Sequence, residues 1–177
     1  MRYVKLVILA VAVAVLASCS AANQAQKQAD KDTLTWNYEI EPTLGQATQG
    51  SILVKVWSYS EDKEIAQTQA AKNAVHGILF KGVAALNNET TRVPAQRPII
   101  PDLNAETEYK DFFKTFFAEG GKYMKYVNFV NNGIPAPGDI IRVNKKYKVG
   151  VRVSVAKDAL RKEMEAAGIV KALGAGF

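Results

Sequence analysis

The chain has 177 residues, a formal net charge of +6 and 48% hydrophobic residues, with one cysteine and one histidine. That length is one ordinary domain, large enough to bury a core of its own. A single cysteine excludes an internal disulfide and a thiolate metal cluster, and a single histidine excludes a multi-histidine metal centre, so no metal or cofactor is expected.

Arg2 and Lys5 precede an apolar run from Leu6 to Leu16, which Leu16-Ala17-Ser18-Cys19 closes with small residues. A positive start, a short apolar stretch and small residues before a cleavage point are what a secretory signal peptide requires. The run falls short of the roughly 20 apolar residues that cross a bilayer. The closing segment resembles the lipobox of bacterial lipoproteins. The resemblance implies that residues 1–18 are a signal peptide and that Cys19 carries diacylglycerol and an N-acyl chain, a firmer anchor than one acyl chain alone. It also implies a bacterial outer-membrane address facing the periplasm, since Ser20 supplies no acidic retention signal. Cleavage leaves 159 residues and, without Arg2 and Lys5, a charge near +4. Scattered lysines read as a solvated basic surface, with anionic headgroups, acidic glycans or an acidic protein as the open alternatives and no nucleic acid.

Residues 20–32 hold no aromatic and no β-branched residue, so 19–32 reads as a lipidated cysteine and tether, roughly 45 Å long when extended and nearer 20 Å as a coil. A single α+β domain is expected over 33–177. From Thr33, Leu34, Trp36, Tyr38 and Ile40 alternate with polar residues as a strand that Pro42 stops. Thr43 to Gly50 reads as a loop, and Ile52 to Tyr59 as a second strand, apolar on both faces, that pairs with the first as a hairpin. Ser58 with Glu61 forms a capping box, Ser60 being an alternative N-cap, for a helix over Glu61–Leu86. Its stripe is Ile65, Ala66, Ala70, Ala71, Ala74, Val75, Ile78 and Leu79, with Lys72 and Asn73 among the residues on the other side. Gly77 and Gly82 are the places for it to bend or stop.

Residues 87–104, with Pro94, Pro98 and Pro101, read as a long loop, either a binding surface or an excursion without a task; Ile99 and Ile100 fold part of it back onto the core. Tyr109, Phe112, Phe113, Phe116 and Phe117 share one face of a helix over Ala105–Glu119, with Asn104 as N-cap and Gly120-Gly121 as stop, and that face reads as core. Lys122 to Val130 alternates as a strand, and Asn131-Asn132-Gly133 supplies turn chemistry. Tyr147, Val149, Val151, Val153 and Val155 give the clearest strand. A last helix from Ala156 carries Leu160, Met164 and Ala167 inward, with Gly168 as its cap. The expected architecture is a sheet of about four strands, antiparallel or mixed, packed against two or three helices.

His76 reads as a packing residue of the long helix, and the acid pairs Glu61 with Asp62, Glu106 with Glu108, and Glu163 with Glu165 as solvated surface. No glycine-rich loop joins a strand to a helix with phosphate-cradling spacing. Arg142, Lys145, Lys146 and Lys148 around Tyr147 form a basic cluster at a strand entrance, a candidate partner surface for headgroups, glycan or an acidic protein, or simply a solvated turn. The alternating strand Tyr147–Val155, the helix after it and the alanine-rich helix from Ile65 to Leu79 resemble the small envelope lipoproteins of the LPP20 and FlgP kind; the long loop and the Phe-rich helix depart from that pattern. The resemblance implies a non-enzymatic binding or scaffolding accessory of an envelope or secretion assembly, with a membrane and an envelope protein as partners. Two alternatives stay open. One is an envelope glycan-processing hydrolase, marked by a cleft gathering two acids with His76. The other is a periplasmic carrier of a small apolar ligand, marked by a cavity lined by Trp57 and the Phe112–Phe117 cluster.

Overall fold

The computed structural model describes residues 36–45, 47–89 and 92–172, so the signal peptide, Cys19, the tether and the last five residues lie outside it. The chain divides after Trp36 into two units, and the elements below all belong to the second. In chain order they are β1 (Tyr38–Pro42), β2 (Ile52–Ser60), α1 (Lys63–His76) continued by a π-helical turn over Gly77–Lys81, β3 (Leu86–Asn87), β4 (Arg92–Val93), α2 (Ala105–Glu108), α3 (Lys110–Phe116), a 3-10 segment (Lys122–Tyr126), β5 (Val127–Phe129), a turn over Val130–Gly133, β6 (Ile140–Val143), β7 (Lys146–Val155) and α4 (Lys157–Ala166).

The fold is α+β, as expected, and its main sheet has five strands, all antiparallel. β1 and β2 form the expected hairpin, Tyr38 opposite Ser58 and Pro42 opposite Val54. β7 pairs with β2 along its length, from Ile52 opposite Val155 to Ser60 opposite Tyr147. The other edge of β7 is shared, β5 taking Val153–Val155 and β6 taking Lys146–Val149. β6 is the strand that the pattern does not announce, because Ile140, Ile141, Arg142 and Val143 are all exposed and show no alternation of burial.

Alternation decides the faces of the sheet. Val54 and Val56 of β2 and Val149, Val151, Val153 and Val155 of β7 are fully buried on the side that α1 covers. Each such valine contributes about 1.5–3 kcal/mol relative to an exposed one. Ala66, Ala70 and Ala74 are equally buried, small enough to bring the helix backbone close to the sheet. Asn73, expected on the wet side, is buried and donates from Nδ2 to Ser58 Oγ at 2.9 Å. Ser58 is therefore a core hydroxyl and not a cap. Asp62 caps instead, its Oδ1 accepting the Glu64 N–H at 2.8 Å.

The long helix ends at Lys81, five residues before the expected Leu86. Gly82 explains the stop. It sits at φ +71, and a Cβ there would lie 2.4 Å from the Gln96 carbonyl, so only glycine lets the two backbones meet. Val83 and Gln96 exchange both backbone hydrogen bonds at 2.8 Å, and the Ile99 and Ile100 N–H groups reach the helix-end carbonyls of Ile78 and Leu79. The segment expected as a long loop is thus pinned at its base and carries the small ribbon β3–β4, Leu86 opposite Val93.

The Phe-rich helix is broken at Tyr109 into α2 and α3, ends at Phe116, and packs inward: Phe113, Phe116 and Phe117 are buried. Lys122–Tyr126 is a 3-10 turn where a strand was expected. Tyr123 and Tyr126 lie three apart, so a turn of three residues brings both to the aromatic cluster, Tyr123 against Phe117 and Tyr126 stacked on Phe116. Only Val127–Phe129 remains extended. Asn131 and Asn132 adopt φ +52 and +54, the left-handed geometry asparagine tolerates. α4 closes as expected, Gly168 N–H to Glu165 O and Ile169 N–H to Met164 O satisfying its last carbonyls.

Candidate functional site

β6 and β7 are joined by the two residues Asn144 and Lys145, since Val143 pairs with Lys146. Asn144 takes φ +57, a conformation that suits a tight hairpin. The basic cluster is therefore the tip of a projecting hairpin. The register separates its members: Lys146 and Lys148 stand with Ile141 and Val143 on the sheet face away from α1, while Arg142 and Tyr147 stand on the other side. Arg142 and Lys145 are exposed, and Lys146 and Tyr147 half-buried. Lys148 does not join them, because its Nζ donates to Glu39 Oε2 at 2.8 Å. Ile140, Ile141 and Val143 are 40–45% exposed, so the same hairpin carries an apolar surface.

The face away from α1 also carries a network that the sequence reading passed over. The Trp57 ring lies across Gly150, where an added Cβ would sit 2.8–3.0 Å from ring carbons, and Lys55 and Lys148 each place Nζ 5.1 Å from its centroid. Trp57 Nε1 donates to Glu41 at 3.0 Å, Tyr59 donates to Glu39, and Lys55 donates to Asp139 at 3.0 Å. Hydrogen bonds from Lys148 and Tyr59 hold the Glu39 carboxyl below the usual range, and the bond to Glu39 raises Lys148. Glu39 and Glu41 at alternate positions of β1, met by Lys55 of β2 and Lys148 of β7, are the signal for this network, legible once the strand register is known.

On the α1 side, His76 is buried and links three elements. Its Nδ1 lies 2.6 Å from the Tyr38 hydroxyl of β1, and its Nε2 lies 3.4 and 3.5 Å from the two oxygens of Glu106 in α2. Burial pushes His76 below its ordinary value, more strongly than Glu106 raises it, and burial pushes Tyr38 up. The neutral ring then carries its proton on Nε2, toward the carboxylate, and accepts the Tyr38 hydroxyl proton at Nδ1. Phe80 and Phe117 cover the ring with centroids at 4.9 and 6.1 Å. Lys81 Nζ stands 3.8 Å from the centre of the Tyr38 ring, and burial lowers its pKa.

His76 is thus a packing residue, as expected, but Glu106 is its partner and not plain surface. Glu163 and Glu165 are likewise engaged, with Lys122 and Tyr126 and with Arg161, all at 2.9 Å. Tyr126 is pushed up to about 12 by burial and then by Glu163. Trp57 and the Phe112–Phe117 cluster do not line one cavity: Trp57 faces away from α1, whereas Phe113 and Phe117 pack on Phe80 and His76 beside its C-terminal end. Among the described residues no three of His, Cys, Asp and Glu converge as metal ligands, and no helix is long and apolar enough to cross a membrane. Comparison of the chain with protein-family models, curated proteins and solved structures finds no match.

Proposed function

We propose that the chain is a lipid-anchored protein of the bacterial outer membrane whose domain serves as a non-enzymatic binding or scaffolding accessory of an envelope or secretion assembly. One observation carries the non-enzymatic half. His76, the one side chain whose ordinary pKa suits acid–base work near neutrality, is buried and committed to Tyr38 and Glu106. The apolar and basic β6–β7 hairpin is one part of the surface that the domain offers outward. The anchoring half rests on Leu16-Ala17-Ser18-Cys19.

Cells supplied with radioactive palmitate should label the parent chain, and Cys19→Ala should abolish both the label and membrane association; either one retained in the variant refutes the anchor. For the second half, the purified chain incubated with peptidoglycan should release no soluble fragments. Release that His76→Gln or Glu106→Gln abolishes would make the protein a hydrolase.

A further inference from the structure

We propose that the β6–β7 hairpin docks the domain onto an anionic phospholipid surface; this rests on the anchor at Cys19 and names the membrane as the hairpin's partner. Three features of the hairpin converge. Ile140, Ile141 and Val143 are exposed aliphatic side chains on a strand whose outer edge pairs with no other strand among the described residues. Arg142 and Lys145 stand exposed among them, Arg142 on the face of Ile140 and Lys145 in the turn, with Ile141 and Val143 on the opposite face, and from Ile140 to Tyr147 the hairpin has no acidic residue. Aliphatic groups beside long cationic ones suit the headgroup boundary, where stems reach inward, charges meet phosphate and the free strand edge stays hydrated.

Geometry supplies the third. Tyr38 opens β1 level with Ser58, and Ser60 is level with Tyr147, so the chain enters the sheet at the end from which the Asn144-Lys145 turn projects. An N-terminal lipid anchor therefore pulls on the same end of the domain that carries the hairpin. The 18 residues between Cys19 and Tyr38 span at most roughly 65 Å. Tethering makes the contact intramolecular, so even a weak headgroup interaction is populated.

The rival occupants fit less well. Edge-to-edge pairing with a second copy would rest on the four residues of β6 and would gather both copies of Arg142 and Lys145 along one short seam. A folded protein partner needs about 20–30 residues a side, and this patch is one four-residue strand with its turn.

The test uses the full chain reconstituted into vesicles of phosphatidylcholine alone or with about 30% phosphatidylglycerol, which mimics an anionic leaflet. A bimane probe sits at Val143→Cys on the hairpin or at Gln49→Cys in the β1–β2 loop at the opposite end. Nitroxide-labelled lipid should quench the Val143 probe on phosphatidylglycerol vesicles, and much less on phosphatidylcholine or in high salt. The Gln49 probe should stay bright. Arg142→Ala with Lys145→Ala removes two cations and should weaken the contact roughly 30-fold, while unchanged circular dichroism shows that the fold survives. Equal quenching at both positions, or quenching indifferent to phosphatidylglycerol, overturns the proposal. A Val143 probe left bright on phosphatidylglycerol also overturns it, and leaves the hairpin to an acidic protein surface. Flotation of the unaltered chain with phosphatidylcholine vesicles reports the anchor separately: its loss speaks against acylation at Cys19, while probe quenching still decides docking.

Discussion

Tyr38→Phe removes only a hydroxyl, yet it takes away the group that His76 Nδ1 meets at 2.6 Å inside the core. Tyr38 is 6% exposed and His76 3%, so water does not readily replace the lost partner. Leaving a buried acceptor unmatched costs about 1–3 kcal/mol, against 0.5–1.5 kcal/mol for the net worth of an ordinary hydrogen bond. The phenyl ring left by this substitution would keep the contact with Lys81, which involves the ring face, so the hydroxyl alone is tested. His76→Phe strands the Tyr38 hydroxyl instead and should cost a similar amount, because Glu106, whose side chain is 39% exposed, can return to water. The double variant replaces both partners by apolar rings and should cost no more than the worse single one. Urea unfolding followed by circular dichroism measures all three, and a heat scan of Tyr38→Phe should fall by roughly 3–10 °C. A Tyr38→Phe effect under about 0.5 kcal/mol, or additive single effects, would refute the coupled pair.

The same histidine sets a pH dependence. Its folded pKa is depressed below the ordinary value of 6.5, so the unfolded chain binds the proton more readily; stability is full above that value and falls as pH drops toward the folded one. The urea midpoint should decline between pH 7.5 and pH 5.5, roughly the window around an ordinary histidine, and His76→Phe should flatten that decline. Glu39 and Glu163, both held below 4.5, add a loss that begins only as pH falls below that value. Gly82→Ala combines a cost of about 1–3 kcal/mol for a positive-φ, extended-ψ backbone that essentially only glycine adopts with a clash against the Gln96 carbonyl; limited proteolysis should cut between Val83 and Pro98 faster, and an unchanged cleavage rate would contradict the pinned base. Gly150→Val should lift the Trp57 ring, costing about 1–3 kcal/mol as overpacking and raising acrylamide quenching of Trp57 in a Trp36→Phe background. Unchanged quenching would mean the ring does not rest there.

What could be read from the chain depended on whether neighbours in sequence decide the structure. The Val149 to Val155 alternation, the Ile52 strand and the Gly168 cap are local, and the fold reproduces them. Lys122 to Val130 alternates just as cleanly, but Tyr123 and Tyr126 turn toward Phe117 and Phe116, a demand set by packing with α3. The basic cluster was visible as charge. Its division between two faces needed the register of the β6–β7 hairpin, and the diversion of Lys148 to Glu39 needed strands more than a hundred residues apart in sequence. Tyr38, His76 and Glu106 share no motif, and only the crossing of β1, α1 and α2 unites them.

β7 is the strand on which the rest of the sheet depends, and it follows every other strand of that sheet in sequence. β2, β5 and β6 all hydrogen-bond to it, and Trp57 finds its glycine seat only when Gly150 arrives. Until then β1 and β2 are a hairpin bare on both edges, marginal in water on its own. Assembly is therefore governed by pairing between distant parts of the chain, which is slow relative to helix formation. The strands before it can form their own hairpin early, but the five-stranded body cannot lock into its final shape until β7 has joined.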